Sequence, residues 1–193
     1  MDFCTGSGII PVLLAAKSEA AYIAGIEIQH DIANAASRSV KLNNLTGRVE
    51  IFEGDIKNAH DILNKQKFDV VTCNPPYMAG GAGLLNTDTM KAVSRHEILC
   101  TLQDVMRSAA KVLRFGGRLF MVHRADRLAD LIQLSRQYKL EPKTVRLVYP
   151  SAGKNANLVL FSAMLGGGVQ LDCLPPLFVM DDKGNSSDEL KAI

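Results

Sequence analysis

The sequence predicts an α/β fold: a mostly parallel, seven-stranded sheet that ends in an antiparallel hairpin. Three observations predict it. Short apolar runs rich in Val, Ile and Phe alternate with helical stretches up to Tyr138, the pattern of parallel strands joined by crossover helices. The last two apolar runs, 144–149 and 157–161, are joined by a short loop, which suits an antiparallel pair. Polar and Gly-rich punctuation falls where the runs end, at Gly6-Ser7-Gly8, Glu27, Gly54-Asp55, Asn74 and His123-Arg124. Open α/β sheets bind ligands at that carboxyl edge.

Each element follows from local pattern. Asp2-Phe3-Cys4-Thr5-Gly6-Ser7-Gly8 is a Gly-rich turn, and it feeds an apolar helix from Ile9 in which Pro11 is tolerated in the first turn. Residues 22–27 form a strand ending in Glu27, about 20 residues after the glycines, where an acid suits a ribose diol because both hydroxyls can donate to one carboxylate. Gly6 and Gly8 fit the dinucleotide fingerprint, but Pro11 takes the third glycine position, which weakens a nicotinamide-cofactor reading. Residues 30–44 form a helix with Asp31 in its first turn. Residues 49–52 are a strand followed by Asp55-Ile56, either a contact for an adenine ring and its amino group or a helix cap. Residues 68–73 are a buried strand that runs into Asn74-Pro75-Pro76-Tyr77.

Further on, the long stretch 78–94 with Gly80, Gly81 and Gly83 reads as a substrate-facing flap. A helix is predicted over 95–113, with Ile98, Leu99, Leu102, Val105, Met106, Ala109 and Val112 on one stripe and Gly116-Gly117 ending it. Residues 119–122 make a strand that ends in His123-Arg124, and 126–138 a helix. Residues 1–165 are taken as the catalytic domain and 166–193 as a C-terminal extension in which 174–180 docks and 181–193 is a loose, partly disordered tail.

Composition narrows the classes. A chain of 193 residues, 47% hydrophobic and 22% charged, has enough apolar material for one sizeable core. A net charge of +2 gives no general attraction to nucleic acid, so any RNA site must come from local clustering. Four cysteines at 4, 73, 100 and 173 form no Cys-x-x-Cys, which argues against a metal cluster and a disulfide scaffold and for reduced thiols in a cytoplasm. No apolar run approaches membrane-spanning length, and the N-terminus lacks a signal pattern.

The Asn74-Pro75-Pro76-Tyr77 corner carries the chemistry. Asn74 and Pro75 both precede proline, which stiffens them in extended conformations. The Asn74 side-chain oxygen and the Pro75 carbonyl can then accept the two hydrogens of one planar amino group, while Tyr77 offers a face to a flat ring. An exocyclic amine is a poor nucleophile because its lone pair is delocalised. Holding both hydrogens orients the nitrogen and stabilises the positive charge that grows as it attacks. A strand running into a Pro-rich turn is the plainer account of the same four residues.

The whole order of elements resembles a class I S-adenosylmethionine-dependent methyltransferase, and the resemblance covers nearly all of the chain. Asp2 to Gly8, including Cys4, Thr5 and Gly6, is similar to the first motif of that family, Glu27 to its ribose-binding acid, and Asp55 with Ile56 to its adenine contact. Asn74 to Tyr77 resembles the Asn-Pro-Pro-Tyr motif of amino-group methyltransferases. Ser94-Arg95-His96-Glu97, Gly116-Gly117-Arg118 and Val122-His123-Arg124 resemble bacterial valine-tRNA adenine-N6-methyltransferases. The resemblance implies a Rossmann-like fold, S-adenosylmethionine as cofactor, no metal, and tRNA as substrate, with the adenine beside the anticodon as acceptor. It implies cofactor contacts at Asp2, Cys4, Thr5, Gly6, Gly8, Glu27, Asp55, Ile56 and Asn74. Catalysis would rest on Asn74, Pro75 and Tyr77, and substrate contacts on these with Pro76, Arg95, His96, Arg124 and Lys154. Lys91 and Arg127 are further candidates for phosphate contact, although a solvated surface charge is the simpler role for each basic residue taken singly.

Two departures from the family pattern stand out. Cys4 occupies a position where the motif usually carries glycine. The first strand is largely missing, since only Met1 precedes Asp2, and the chain is expected to bind the cofactor poorly until upstream residues are restored. Two other functions stay open on the sequence: methylation of a glutamine side-chain amide, as in release-factor methyltransferases, and a non-catalytic RNA-binding module.

Overall fold

The computed structural model describes residues 1–75 and 100–192. Pro76, Tyr77, the 78–94 flap, Lys91, Arg95 and His96 therefore lie outside the described residues. A single sheet of nine strands forms the centre, in the order β3-β2-β1-β4-β5-β7-β6-β8, with β9 also on β6. These are β1 (Asp2–Phe3), β2 (Ile23–Glu27), β3 (Val49–Glu53), β4 (Phe68–Cys73), β5 (Leu113–Arg124), β6 (Leu140–Tyr149), β7 (Leu158–Leu165), β8 (Asp172–Cys173) and β9 (Leu177–Phe178). The first five are parallel, and β7 runs antiparallel between β5 and β6.

β1 has β2 on one side and β4 on the other. Asp2 registers with Gly25 and Thr72, and Phe3 with Ile26 and Cys73. Chain order reverses there, so the carboxyl end of β1 is the switch point of the sheet, where a crevice opens. Thr5 and Gly6 leave from that point, and Asn74 leaves from the neighbouring end of β4.

Helices α1 (Ile9–Lys17) and α2 (His30–Leu42) connect β1 to β3; α3 (Ala59–Ile62), α4 (Leu102–Val112) and α5 (Leu128–Gln137) follow, and α6 (Asp188–Lys191) closes the described chain. Gly8 begins α1 at φ +83°, and a β-carbon there would sit 3.2 Å from that of Ala36 on α2. Its role is to let two helices approach, and it does not line the crevice described below.

α4 corrects one expectation. The helix starts at Leu102, because Thr101 and Asp104 form a capping box in which each side chain accepts from the other's backbone N–H. Of the predicted 95–113 helix, Cys100 and Thr101 stand outside it and 95–99 lie outside the described residues. Val105, Met106, Ala109 and Val112 are fully buried. Burying each larger member contributes about 1.5–3 kcal/mol, against about 1 kcal/mol for a cap. The cap therefore sets where α4 begins, and the stripe holds it on the sheet.

The Gly116-Gly117 pair also differs from the expected helix end. α4 passes directly into β5 at Leu113, and Gly116 (φ +79°) with Gly117 lies inside the strand, where the pairing with β4 slips between Phe68 and Val70. β5 is thus much longer than the predicted 119–122. A β-carbon on Gly117 would be 2.9 Å from the Arg114 carbonyl, so the irregularity needs glycine.

Beyond residue 165 the chain adds two short strands to the β6 edge, each pairing in parallel. The Arg146 side chain donates to the Pro175 carbonyl (2.9 Å) and pairs with Glu189 (2.5 Å). The stretch from Asp181, read as loose in the sequence, carries a turn in which Asp181 accepts from the Lys183 and Asn185 backbones, then α6 capped by Ser187. Local side-chain-to-backbone bonds hold it where apolar burial is scarce. No helix among the described residues is long and apolar enough to cross a membrane.

Candidate cofactor cleft and target-base corner

The crevice at the switch point is lined by Cys4, Gly6, Ile26, Glu27, Ile28, Gln29, Gly54, Asp55, Ile56, Asn74 and Cys100. Four strand ends, those of β1, β2, β3 and β4, and the start of α4 supply it, so residues far apart in sequence converge.

Glu27 is its buried acid, with only 6% of its surface exposed. Its two oxygens are aimed separately. Oε2 accepts from the Gly6 N–H at 3.0 Å, and Oε1 from the Gln29 N–H at 3.1 Å and the Gln29 side-chain amide at 3.4 Å. Gly6 makes its bond from the left-handed region (φ +55°), which glycine enters without strain. Oε2 keeps a lone pair for a ligand hydroxyl, and a second hydroxyl reaches Oε1 by displacing the long Gln29 amide bond. Ile26, Ile28 and Ile56 add apolar wall suited to a flat ring. Asp55 is at the rim, but its carboxylate is engaged: it caps the short 3₁₀ turn at Ile56–Asn58, accepting from the Lys57 N–H at 2.9 Å, and it pairs with the Lys57 ammonium at 3.0 Å.

Asp2 and Thr5 sit behind the cleft instead of lining it. The Asp2 carboxylate is fully buried and accepts from the hydroxyls of Thr5 (2.7 Å) and Thr72 (2.6 Å). The Thr5 N–H donates to the Ile26 carbonyl at 3.0 Å, which ties the turn to β2. Asp2 is thus a brace between three strands, one bond removed from any ligand.

Burial pushes the Asp2 carboxyl from its ordinary 3.8 up to about 6, although both hydroxyls and the Met1 ammonium pull it down. The folded protein therefore holds this proton up to about pH 6, while the unfolded chain releases it near 3.8. Between those values the folded state binds more protons, so stability falls as pH rises through the window, by about 2–3 kcal/mol, and the loss is complete above it. Asp2→Asn, whose amide can accept from one hydroxyl and donate to the other, is expected to flatten that part of the stability curve. Urea midpoints of both proteins from pH 4 to pH 7 check it, and parallel curves would show that Asp2 does not titrate there.

Asn74, the first residue of the expected amine-holding corner, lines the same cleft. Asn74 is exposed on its rim and Pro75 is buried behind it. Asn74 also borders a second, more apolar hollow on the sheet face, lined by Phe120, Val122 and Leu160 among others.

The basic candidates divide. Arg124 and Leu158 are paired across β5 and β7, and β6 ends at Tyr149, so Arg124 and the 150–157 loop carrying Lys154 share the carboxyl edge with Asn74. Lys154 is exposed in that loop. Arg124 is ion-paired with Asp126 and Arg127 with Asp130, which reduces the charge each offers to a phosphate. None of these three lines the cleft. His123 is buried and its imidazole is held below its usual pKa, first by burial and then by Arg127.

Sequence reading missed Ile26, Ile28, Gln29, Gly54 and Cys100 as lining residues. Gln29 had a signal, lying two residues past the strand-ending acid. Cys100 had none, since it meets Cys4 across 96 residues.

The structure resembles solved methyltransferases. A predicted O-methyltransferase from Agrobacterium tumefaciens superposes with a TM-score of 0.76 over 98% of this chain and 85% of its own, at 21% identity. The Thermus thermophilus 16S rRNA N2 G1207 methyltransferase, solved with AdoMet and guanosine, gives 0.59 over 84% of this chain and 36% of its own, also at 21% identity. At such identities the likeness establishes the fold. Among curated proteins, the tRNA1(Val) (adenine(37)-N6)-methyltransferase of Porphyromonas gingivalis is 30% identical over 142 residues, 72% of this chain. Its counterpart in Aeromonas salmonicida is 27% identical over 170 residues, 88% of this chain. The chain spans 55% of the length of the first and 69% of the second. The family model for the methyltransferase small domain matches residues 1–138, and the chain belongs to that family.

Proposed function

We propose that this chain transfers a methyl group from S-adenosylmethionine to N6 of an adenine in tRNA, the adenine beside the anticodon of valine tRNA being the intended acceptor. One observation carries the reading: Asn74, at the end of β4, lines the same cleft as Glu27 and Gly6. An amine-holding corner and a ribose-holding acid thus share one opening at the switch point. The names of the Porphyromonas and Aeromonas relatives support the choice of acceptor.

The residues present fit the cofactor. Glu27, oriented by Gly6 and Gln29, accepts from the two ribose hydroxyls, and Ile26, Ile28 and Ile56 bound the adenine. S-adenosylmethionine, when bound, supplies an electrophilic methyl on a sulfonium. The chain's own part in the reaction is orientation. The target base leaves its stack, as bases modified on a ring substituent must. The Asn74 side-chain oxygen and the Pro75 carbonyl accept the two amino hydrogens and turn the lone pair towards the methyl. Tyr77 stacks on the base, and Arg95, His96, Arg124 and Lys154 contact the RNA backbone. No strong base is required, because the proton becomes acidic only as the nitrogen acquires charge. A cytoplasmic location goes with a tRNA acceptor.

The test is transfer of tritiated methyl to unmodified valine tRNA, followed by digestion to nucleosides. Label in N6-methyladenosine is expected. Label that resists ribonuclease and resides in a protein glutamine would move the chain to the release-factor type of methyltransferase. Label in neither would remove the catalytic reading.

A further inference from the structure

Three thiols meet at the wall of the cleft. Cys4 follows β1, Cys73 ends β4, and Cys100 stands just before the Thr101 cap of α4. The Cys4 and Cys100 sulfurs are 4.0 Å apart, and both residues line the cleft beside Gly6, Glu27 and Asn74. Cys73 is buried behind them. Cys4 also holds a backbone outlier, with φ at +53°. That region suits glycine, so a side chain kept there is a pointer to function. What this side chain touches is another sulfur. Among the described residues no group of three His, Cys, Asp or Glu side chains is set to hold a metal ion.

We propose that Cys4 and Cys100 form a reversible disulfide under peroxide stress and that the bond closes the cleft to its cofactor. The proposal rests on the reading of the cleft as the S-adenosylmethionine site. The chemistry balances with hydrogen peroxide as oxidant. One thiol is oxidised to a sulfenic acid as the peroxide is reduced and a first water leaves. The second thiol attacks that sulfur, the S–S bond forms, and the sulfenic oxygen departs as a second water.

The sulfurs must approach from 4.0 Å to about 2.05 Å. Cys100 can supply the movement, since it precedes the α4 cap and lies outside the helical hydrogen-bond ladder. Both sulfurs belong to the wall, so drawing them together removes space between Gly6 and Asp55. The Cys100 thiol is pushed far up by its bond with Cys4 and by burial, and burial does the same to Cys73. Protonated thiols react slowly, and a disulfide between two poor leaving thiols resists reduction. The latch therefore responds to sustained oxidation and, once closed, stays closed until a strong dithiol reductant acts.

The test uses the chain carrying Cys173→Ser, because Cys173 is exposed and would form intermolecular bridges. The protein is treated with hydrogen peroxide and mapped by mass spectrometry without reduction. S-adenosylmethionine binding is measured by calorimetry before oxidation, after it, and after dithiothreitol. The expected result is a loss of about 2 Da, a linked peptide pair containing Cys4 and Cys100, and binding weakened about tenfold or more, then restored by reductant. Cys100→Ser in the same background is expected to keep its own reduced-state affinity after peroxide. A linkage through Cys73, no linkage at all, or a Cys4–Cys100 bridge with unchanged affinity would each overturn the proposal. Reduced protein with no affinity for S-adenosylmethionine would instead overturn the cofactor reading, and the mapped linkage, read without any ligand, would still uphold or overturn the thiol pairing.

Discussion

Asn74→Ala is expected to lower the rate of methyl transfer to tRNA about 10²–10³-fold while leaving S-adenosylmethionine affinity within about threefold of the parent, the loss typical of removing one preorganised group from a reacting centre. The two quantities separate because Asn74 sits at the rim, whereas Glu27, Gly6 and Gln29 form the part of the cleft that would hold the ribose. Removing an exposed side chain should cost the fold little, about 0.5 kcal/mol or less, so a stability loss cannot stand in for the effect. Asn74→Asp keeps an acceptor oxygen in the same place and is expected to retain more activity than alanine. Single-turnover assays on unmodified tRNA, with calorimetry on the same preparations, separate these outcomes. Normal methylation by Asn74→Ala would mean that the amine is held elsewhere.

The place of Asn74 at the cleft was legible because its cause is local. The strand before it is a plain apolar run, and it delivers Asn74 to the carboxyl edge of the sheet. Glu27 was legible for a similar reason: a Gly-rich turn, a helix and a strand of ordinary length bring an acid back beside the turn. Other features depend on meetings that no short window contains. Cys100 reaches Cys4 only through the fold, from the residue before the α4 cap to the turn after β1, across 96 residues. Asp2 reads as a ligand contact in the motif, yet its place is decided by hydroxyls on Thr5 and on Thr72, the second 70 residues away. The Gly116-Gly117 pair illustrates a real ambiguity, since glycine both stops helices and permits bulges in strands. Here the helix had already ended at Val112, and the pairing of β5 with β4 determined which use applied. The T-x-x-D capping signal at Thr101 was present in the sequence, but a longer apolar stripe overrode it. β8 and β9 are two residues each, too short for alternation to appear, and they exist because β6 leaves an edge to be covered.

Glu27→Gln is the complementary change, and its largest effect should fall on cofactor affinity. In the parent, Oε2 takes the Gly6 N–H and Oε1 the Gln29 N–H, each as acceptor, which leaves a lone pair on Oε2 and, once the long Gln29 amide bond gives way, one on Oε1 for the ribose hydroxyls. In the amide one of those positions becomes a donor. It then faces a backbone N–H without an acceptor between them, and it cannot accept from the diol. Hydrogen bonds to a charged group contribute about 1.5–3 kcal/mol each, so losing the charge and one acceptor should weaken S-adenosylmethionine binding roughly 100-fold. At saturating cofactor the transfer rate should stay within about tenfold of the parent, since Asn74 and Pro75 are untouched and the reacting nitrogen is held by them. Calorimetry and a rate titration in cofactor give both numbers. The paired variants therefore assign the two halves of the cleft: Asn74→Ala moves the rate and Glu27→Gln moves the affinity. If the effects were exchanged, with Asn74 governing affinity and Glu27 the rate, the ribose and the target amine would have to be interchanged in the cleft.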